Sequence, residues 1–211
     1  MNYATLLQTV QDYLESSEPT FVSYIPTFVE LAENRIFNEV QMPAMRENLT
    51  GYLTAGNKYL ALQDDYLAVF SLAVIDGSGN YNYMLDKDVN YIRQAYPSGS
   101  TQGMPLYFGQ FDPYTLILGP TPDQPYQIEL HQYYYPPSIV TAGTSWLGDN
   151  FEQTLLYGTL REAAVFQKAA DDLVANYEAK YQEGLKQLKR MSDGLERRSA
   201  YRDGQLRIPV S

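Results

Sequence analysis

The chain has 211 residues, of which 45% are hydrophobic, and it carries a formal charge of −10 with no cysteine. This composition supports a buried core, excludes disulfides and thiolate metal sites, and disfavours a nucleic-acid reader, because phosphate binding needs a basic surface. The apolar runs are shorter than the roughly 20 residues that span a bilayer, and the first residues lack a basic start, so we expect neither a membrane segment nor a secretory signal.

The first forty residues predict two helices. Apolar side chains recur at helical spacing over residues 3–16. A second helix is predicted to begin after Ser17, as its N-cap, with Pro19 in the first turn. Its apolar stripe continues to about Gln41, and Pro26 inside the stripe predicts a kink or a break.

Residues 44–144 are predicted to form a β-rich insertion domain. Residues 48–62 alternate around a turn and predict one β-hairpin, and residues 65–86 predict a second one around a glycine-rich turn. Residues 87–96 predict a short helix. Three further strands are expected to follow as a meander over residues 104–135.

Helical periodicity returns after Trp146. Asp149 and Glu152 are spaced like a capping box, and a last helix is predicted from Asp171 to about Gly194. Residues 1–43 and 145–195 should therefore pack as an antiparallel helical bundle, since amphipathic helices need a shared core. The sequence thus predicts an α+β fold with a β-rich insertion and an extended C-terminal tail over residues 196–211.

Motifs for catalysis are missing from the sequence. It contains no nucleophile elbow, phosphate-binding loop or zinc-binding HExxH motif. The segment from Asp76 to Asn80 fits a hairpin turn better than a calcium loop, because it lacks the spaced acids and the final glutamate. The single histidine, His131, is predicted to be structural. We therefore predict no enzyme activity, no cofactor and no metal.

Two acidic pairs nevertheless leave glycan hydrolysis as an alternative, since glycoside hydrolysis uses two carboxylates within about 5–10 Å. They are Asp64 with Asp65, and Asp86 with Asp88. Both pairs lie beside predicted turns or helix starts, where aspartate is common for structural reasons.

Tyrosine is unusually abundant, with twenty residues. Tyr133, Tyr134 and Tyr135 place rings on both faces of one predicted strand, which favours a strand covered on both sides, in part by a neighbouring subunit. A tyrosine-rich carbohydrate-binding module of a virion or cell surface is the alternative. A half-exposed sheet, where tyrosine is simply favoured, is a third interpretation.

Positive charge is concentrated near the C-terminus. Residues 186–207 hold seven basic and three acidic residues, whereas the first forty hold six acids and a single base. The cations nearest the predicted helix end suit its dipole, but those beyond it do not. The residues of this segment that are predicted to contact another protein or subunit are Arg197, Arg198, Tyr201, Arg202 and Arg207.

Three stretches carry a resemblance to a known family. They are IPTFVELAENRIFNEVQMP (residues 25–43), PLYFGQFDPYTLILGPTPDQPYQIELHQYYYPP (residues 105–137) and SWLGDNFEQTLLYGTLREAAVF (residues 145–166). In this order they resemble the second helix, the strand meander and a later helix of the head-to-tail adaptor proteins of tailed bacteriophages, close to tail tubular protein A of short-tailed phages. The likeness covers nearly the whole chain.

This resemblance implies a structural protein of the virion neck, assembled in the host cytoplasm. Its copies would form a ring, usually of twelve, between the portal and a downstream tail or nozzle protein. Double-stranded DNA would pass through the ring in packaging and ejection without sequence-specific binding. The basic C-terminal segment would contact an acidic face of the portal or lie against a neighbouring subunit, and the sequence leaves both open.

Overall fold

The computed structural model describes residues 1–203, with side chains for residues 1–42 and 44–194. This part of the chain has the predicted mixed α+β composition, with seven α-helices and two four-stranded sheets. The helices are α1 (Tyr3–Tyr13), α2 (Pro19–Glu39), α3 (Val89–Ala95), α4 (Ile139–Ala142), α5 (Trp146–Asn150), α6 (Glu152–Phe166) and α7 (Asp171–Asp203). The strands are β1 (Arg46–Tyr52), β2 (Tyr59–Ala61), β3 (Tyr66–Ile75), β4 (Tyr81–Tyr83), β5 (Leu85–Asp86), β6 (Tyr107–Asp112), β7 (Thr115–Gly119) and β8 (Gln127–Tyr134).

The chain divides into two compact units. Unit 1 is formed by Met1–Ala44 together with the described residues from Pro137 onward, and unit 2 is formed by Met45–Pro136. All helices except α3 belong to unit 1, and all strands belong to unit 2.

The first two helices follow the predicted periodicity, with two differences at α2. Glu18 precedes α2 without a side-chain cap, so the predicted cap at Ser17 is wrong, whereas Pro19 does open the first turn. The helix also runs unbroken through Pro26. Proline removes one hydrogen bond, but Phe21 before it and Phe28 after it are both buried, and this burial holds the two halves in one helix.

The predicted capping box at Asp149 and Glu152 is wrong. Asp149 lies inside α5, where the Ser145 hydroxyl oxygen accepts the N–H of Gly148 at 3.1 Å. The next helix, α6, begins at Glu152 without a side-chain cap. The chain therefore makes a short capped turn of helix before the long one, because serine at an extended position caps as well as aspartate does.

Helix α7 is longer than the sequence predicts. Its stripe of Tyr177, Tyr181, Leu185 and Leu188 is buried as expected. The helix does not end at Gly194 but continues to Asp203, so the predicted extended tail is wrong over residues 196–203. An interior glycine costs a helix only about 1 kcal/mol, and the leucine, glutamate and arginines that follow favour helix. Residues 204–211 lie outside the described residues.

Unit 2 is a β-sandwich of two antiparallel layers with one parallel pair, β5 with β6. Sheet 1 has the order β1-β8-β3-β4 and sheet 2 the order β2-β7-β6-β5. The core between them contains Leu53, Leu72, Val74, Met84, Phe108, Leu116, Leu118, Ile128 and Leu130.

Two predicted hairpins are present, β3–β4 and β6–β7, but the hairpin over residues 48–62 is wrong. β1 pairs with β8 and β2 pairs with β7, so these strands lie in different sheets. The third strand of the predicted meander also leaves its neighbours, because β8 lies between β1 and β3. Alternation identifies a buried face of a strand but not its partner, which the sandwich core selects.

The two sheets differ on their outer sides. Helix α3 packs on sheet 2 through Ile92, opposite Gly109, where a Cβ atom would overlap the carbonyl oxygen of Lys87. On sheet 1, in contrast, Tyr52 and Tyr83 are 70% and 67% exposed. The outer face of sheet 1 comprises Arg46, Asn48, Thr50, Tyr52, Phe70, Tyr81, Tyr83, Gln127, Glu129, His131 and Tyr133.

Candidate functional site

Tyr133 lies at one end of the outer face of sheet 1, in an aromatic cluster around Arg46. The Nε of Arg46 donates a hydrogen bond to the Tyr133 hydroxyl at 3.1 Å. The guanidinium carbon lies 4.8 Å from the ring centre of Phe70 and 5.2 Å from that of Tyr133. This arrangement orders a cation and two rings on a partly exposed surface, with an attraction of about 0.5–1 kcal/mol per cation–π pair.

The other two predicted tyrosines occupy different surroundings. Tyr134 is half-buried and next to Tyr133 on β8, so its ring points to the opposite face. Burial raises the pKa of Tyr134, with the carboxylates of Glu47 and Asp65 adding to the shift. Tyr135 lies after the strand, 37% exposed, and donates its N–H to the Asp65 carbonyl oxygen at 2.9 Å. The three tyrosines therefore share no single surface.

Sequence reasoning missed most of the aromatic residues on the outer face of sheet 1. Tyr52, Phe70, Tyr81 and Tyr83 are all exposed there. Tyr81 and Tyr83 are two residues apart on β4, a spacing that could have placed them together, but assigning them to the same face as Tyr52 requires the strand order. Among the residues of this face only Arg46 and Glu129 carry a full charge at neutral pH, which is the composition of the centre of a protein interface.

A second aromatic surface, also missed, surrounds α3. Lys58 lies 5.4 Å from the ring centre of Tyr59, and Lys87 lies 5.5 Å from that of Tyr91. Arg93 makes the same contact with Phe111, at 5.3 Å. Three of the four basic residues of unit 2 are thus held over aromatic rings beside sheet 2.

The Asp76 segment forms a turn, and His131 lies on the outer face of sheet 1. The Asp76 carboxylate accepts the N–H groups of Ser78 at 2.8 Å and Asn80 at 2.9 Å. These bonds, first those from Asn80, hold the pKa of Asp76 below its ordinary value and close the β3–β4 turn. His131 is partly exposed, with its Nε2 3.6 Å from the Glu129 carboxylate. Among the described residues no group of three or more His, Asp or Glu side chains is arranged to hold a metal ion.

The candidate carboxylate pairs lie at the ends of strands and at a helix start. The Asp88 side chain caps α3 by accepting the Asn90 N–H at 2.7 Å, and Asp86 is the last residue of β5. In the other pair, the Asp65 main chain receives the hydrogen bond from Tyr135. Asp64 and Asp65 thus lie in a turn and Asp88 at a helix start, positions that aspartate commonly occupies, whereas Asp86 ends a strand.

The predicted C-terminal contact residues fall in two parts of the chain. Arg197, Arg198, Tyr201 and Arg202 belong to the last turns of α7, so they lie on a helix and not on an extended tail. Arg207 lies outside the described residues.

In unit 1 an ion-pair network joins three helices. Arg35 of α2 contacts Glu162 of α6 at 3.2 Å and Glu178 of α7 at 3.3 Å. Its guanidinium carbon also lies 4.6 Å from the ring centre of Tyr181, whose pKa burial raises to about 12. Opposite charges that converge from distant parts of the chain fix the register of these helices against one another.

Comparison with known families shows which family the chain belongs to. The model of the SU10 adaptor protein family matches residues 1–208. The chain belongs to the SU10 adaptor protein family. No curated protein matches the chain.

As a member of a bacteriophage adaptor family, the chain is a structural protein that takes part in viral assembly, with a place in the virion and contacts with other phage structural proteins. This agrees with the predicted phage adaptor family. The predicted closer likeness to tail tubular protein A is more specific than the family match, and it remains a prediction. In the described part of the chain no helix is long and apolar enough to cross a membrane.

Proposed function

We propose that this adaptor forms a ring of twelve copies in the virion neck, between the portal and a downstream tail or nozzle protein, through which double-stranded DNA passes in packaging and ejection. The single observation that supports this most strongly is the outer face of sheet 1. It exposes Tyr52, Phe70, Tyr81 and Tyr83 in a chain whose net charge is −10. Tyrosine-rich, weakly charged surfaces are suited to burial by another protein subunit.

The charge of the chain is compatible with a passage for DNA. A channel must let the duplex slide, and an acidic surface repels phosphate. The cations of unit 2 beside sheet 2 are held over aromatic rings, where they suit a protein contact as well as a phosphate.

Within each copy, the N- and C-terminal helices would form an antiparallel bundle that builds the ring. The ion pairs from Arg35 to Glu162 and Glu178 support this arrangement, because they join α2, α6 and α7. The basic end of the chain would contact the portal or a neighbouring subunit. Its predicted contact residues are Arg197, Arg198, Tyr201, Arg202 and Arg207.

The experiment that tests the ring combines light scattering with electron microscopy of negatively stained samples, on the adaptor alone and after mixing with its portal. We expect rings of twelve copies, alone or on the portal. A chain truncated after Gly194 tests the basic end: it should retain its fold but dock poorly. Normal docking of the truncated chain on the portal would show that the basic end is not a portal contact.

Glycan arrays separate the proposed function from the carbohydrate-binding alternative. An adaptor that fails to bind portal under all conditions, yet binds oligosaccharides, would overturn the ring. A monomer in isolation that assembles on the portal would support it.

A further inference from the structure

The two lateral edges of the β-sandwich differ: one is formed by β4 and β5 and the other by β1 and β2. On one side the chain crosses from β4 in sheet 1 to β5 in sheet 2 through Met84. The N–H of Met84 donates to the Leu72 carbonyl oxygen of sheet 1, and the N–H of Leu85 donates to the Leu106 carbonyl oxygen beside sheet 2. On the other side β1 and β2 are the edge strands, and no residue of the described chain pairs with their outer edges. One side of the sandwich is therefore closed by the chain itself, and the other is open.

The open side contains an apolar groove, here called the β1/β2 groove. It has a volume of about 210 Å³ and lies between Leu49 and Gly51 of one sheet and Leu60 and Leu62 of the other, above Ile128 and Leu130. Gly51 leaves part of it empty, because a Cβ there would meet only Ile128, at 4.0 Å. Core leucines thus remain within reach of a further side chain.

The edge of β1 has free hydrogen-bonding capacity. Leu53, just past the strand, donates its N–H to the Tyr126 carbonyl. Since backbone groups alternate in direction, Gly51 and Leu49 also face β8, whereas Thr50 and Asn48 face outward. Residues 48–52 contain no charge and no proline, the usual devices that prevent an edge strand from pairing. The edge is therefore suited to the addition of another strand.

The chain contains a segment of matching pattern. Residues 205–210 read Gln-Leu-Arg-Ile-Pro-Val, and they belong to the eight residues that lie outside the described part. The apolar residues Leu206, Ile208 and Val210 are two apart, so on pairing they would share one face of a strand. That face would fill the groove, and Arg207 would point to the outer face of sheet 1.

Pro209 selects the direction of such a strand. In antiparallel addition with the apolar face inward, the backbone of Pro209 would point at β1, where its missing N–H leaves a gap in the ladder. In parallel addition the backbone groups of Leu206, Ile208 and Val210 point at β1 and those of Pro209 point away. In parallel pairing, therefore, every residue whose backbone points at β1 has an N–H group to donate.

We propose that residues 205–210 of a second copy add to β1 as a parallel edge strand and bury their apolar side chains in the β1/β2 groove. This rests on the proposed ring, since it needs another copy of the chain, and it assigns the final segment to a neighbouring adaptor instead of the portal. The contact between copies that this strand addition creates is separate from the contact proposed through the exposed tyrosines of sheet 1.

Cysteine cross-linking between full-length chains tests the pairing, because the natural chain has no cysteine. Chains carrying Arg207→Cys are mixed with chains carrying Asn48→Cys or Thr50→Cys, and the linked dimer is measured under mild oxidation. We expect one of the two partners to link efficiently, since opposite residues of paired strands lie within disulfide reach. Ser78→Cys, in the β3–β4 turn away from the open side, is the matched control and should link at least tenfold less.

Two further variants test whether the groove is the docking site. Gly51→Val fills the groove on the receiving chain, and Ile208→Asp puts a charge on the inserted segment. Each should reduce the cross-link to the level of the Ser78→Cys control, while circular dichroism shows an unchanged fold.

Three results would overturn the inference. One is that Arg207→Cys links to the Ser78→Cys control as efficiently as to Asn48→Cys or Thr50→Cys. Another is that the link forms only within a single chain that carries both cysteines. The third is the absence of the cross-link in chains that have assembled into rings, alone or on the portal. Ring size, measured on the same samples, reports on the proposed function separately: rings without the cross-link would refute the strand addition alone.

Discussion

The carboxylate of Glu33 on α2 accepts the backbone N–H of Ile139 at 3.0 Å, so an acid near the start of the chain holds the first turn of α4, 106 residues later. Glu33 is only 2% exposed. Burial raises the pKa of Glu33 above its ordinary value of 4.5, and hydrogen bonds from Ser138 and Ile139 oppose the shift. Glu33 is therefore a hydrogen-bond acceptor that is destabilised by its own charge.

Replacing Glu33 separates the stabilising hydrogen bond with Ile139 from the destabilising burial of the charge. A raised pKa favours the protonated form in the folded state, so wild-type stability should fall as pH rises above about 4.5 through the folded pKa. Glu33→Gln keeps an acceptor without the charge, and it should become more stable than wild type as pH rises. Glu33→Ala should instead lose about 1–3 kcal/mol, because the Ile139 N–H is left unpaired. Urea unfolding followed by circular dichroism from pH 4 to 8 measures both; a constant difference between Glu33→Gln and wild type would contradict the titration.

Arg35→Gln should destabilise unit 1 by about 1–3 kcal/mol at neutral pH, since it removes one of the two cations that pair with the partly buried carboxylates of Glu162 and Glu178 and leaves them only Arg161. Burial by itself disfavours ionised Glu178, yet Gln182 and Arg35 hold the pKa of Glu178 below its ordinary 4.5. A lowered pKa gives stability that is present above pH 4.5 and is lost as pH falls through the folded pKa. The gap between variant and wild type should therefore shrink in acid.

Lys189→Ala is the control for Arg35→Gln. Lys189 pairs with Glu39 at 2.9 Å, but both side chains are more exposed than Glu162. Its loss should cost less than about 1 kcal/mol. Equal effects of the two substitutions in thermal unfolding would argue against a special role for the Arg35 network.

Gly109→Ala should loosen α3 from sheet 2. The added methyl group would overlap the Lys87 carbonyl oxygen and approach Ile92 to 3.2 Å. Overpacking of this kind costs about 1–3 kcal/mol. Gly77→Ala is the matched control, because nothing lies within 4 Å of a Cβ there. Thermal unfolding compares the two, and similar midpoints would mean that α3 shifts without cost.

Tyr133→Ser and Tyr135→Ser should each weaken ring assembly if these side chains contact a neighbouring subunit. The effect should be larger for Tyr133, because its loss also removes the hydrogen bond from Arg46, and Tyr83→Ser should match it. Tyr114→Ser is the control, since Tyr114 is half-exposed between β6 and β7, away from the outer face of sheet 1. Light scattering with portal measures assembly; an unchanged oligomer in the Tyr133 and Tyr83 variants would count against this face.

The periodic segments of the helices and most strands could be predicted because they depend on neighbouring residues. The stripe from Tyr177 to Leu188 is one such case, and the β3–β4 turn at Asp76 is another. Helix ends were less predictable, as Gly194 and Asp149 show. A cap residue or a helix-ending glycine changes the free energy of a helix by only about 1 kcal/mol, and the free energy of tertiary contacts is larger.

The proposed interaction surface on sheet 1 was predicted only in part for a related reason. Tyr133 was identified from a local run of tyrosines. Tyr52 and Tyr83 come from separate strands, and only the strand order brings them to the same face of sheet 1.

The sequence by itself determined most of the helical and extended segments, the glycine-rich turn between β3 and β4, and the resemblance to phage adaptor proteins. These follow from periodicity, turn chemistry and motif order along the chain. The tertiary structure alone decided that β1 and β2 lie in opposite sheets and that β8 sits between β1 and β3. The physical reason is that alternation marks a buried face, whereas the choice of partner strand depends on how two faces pack into one core.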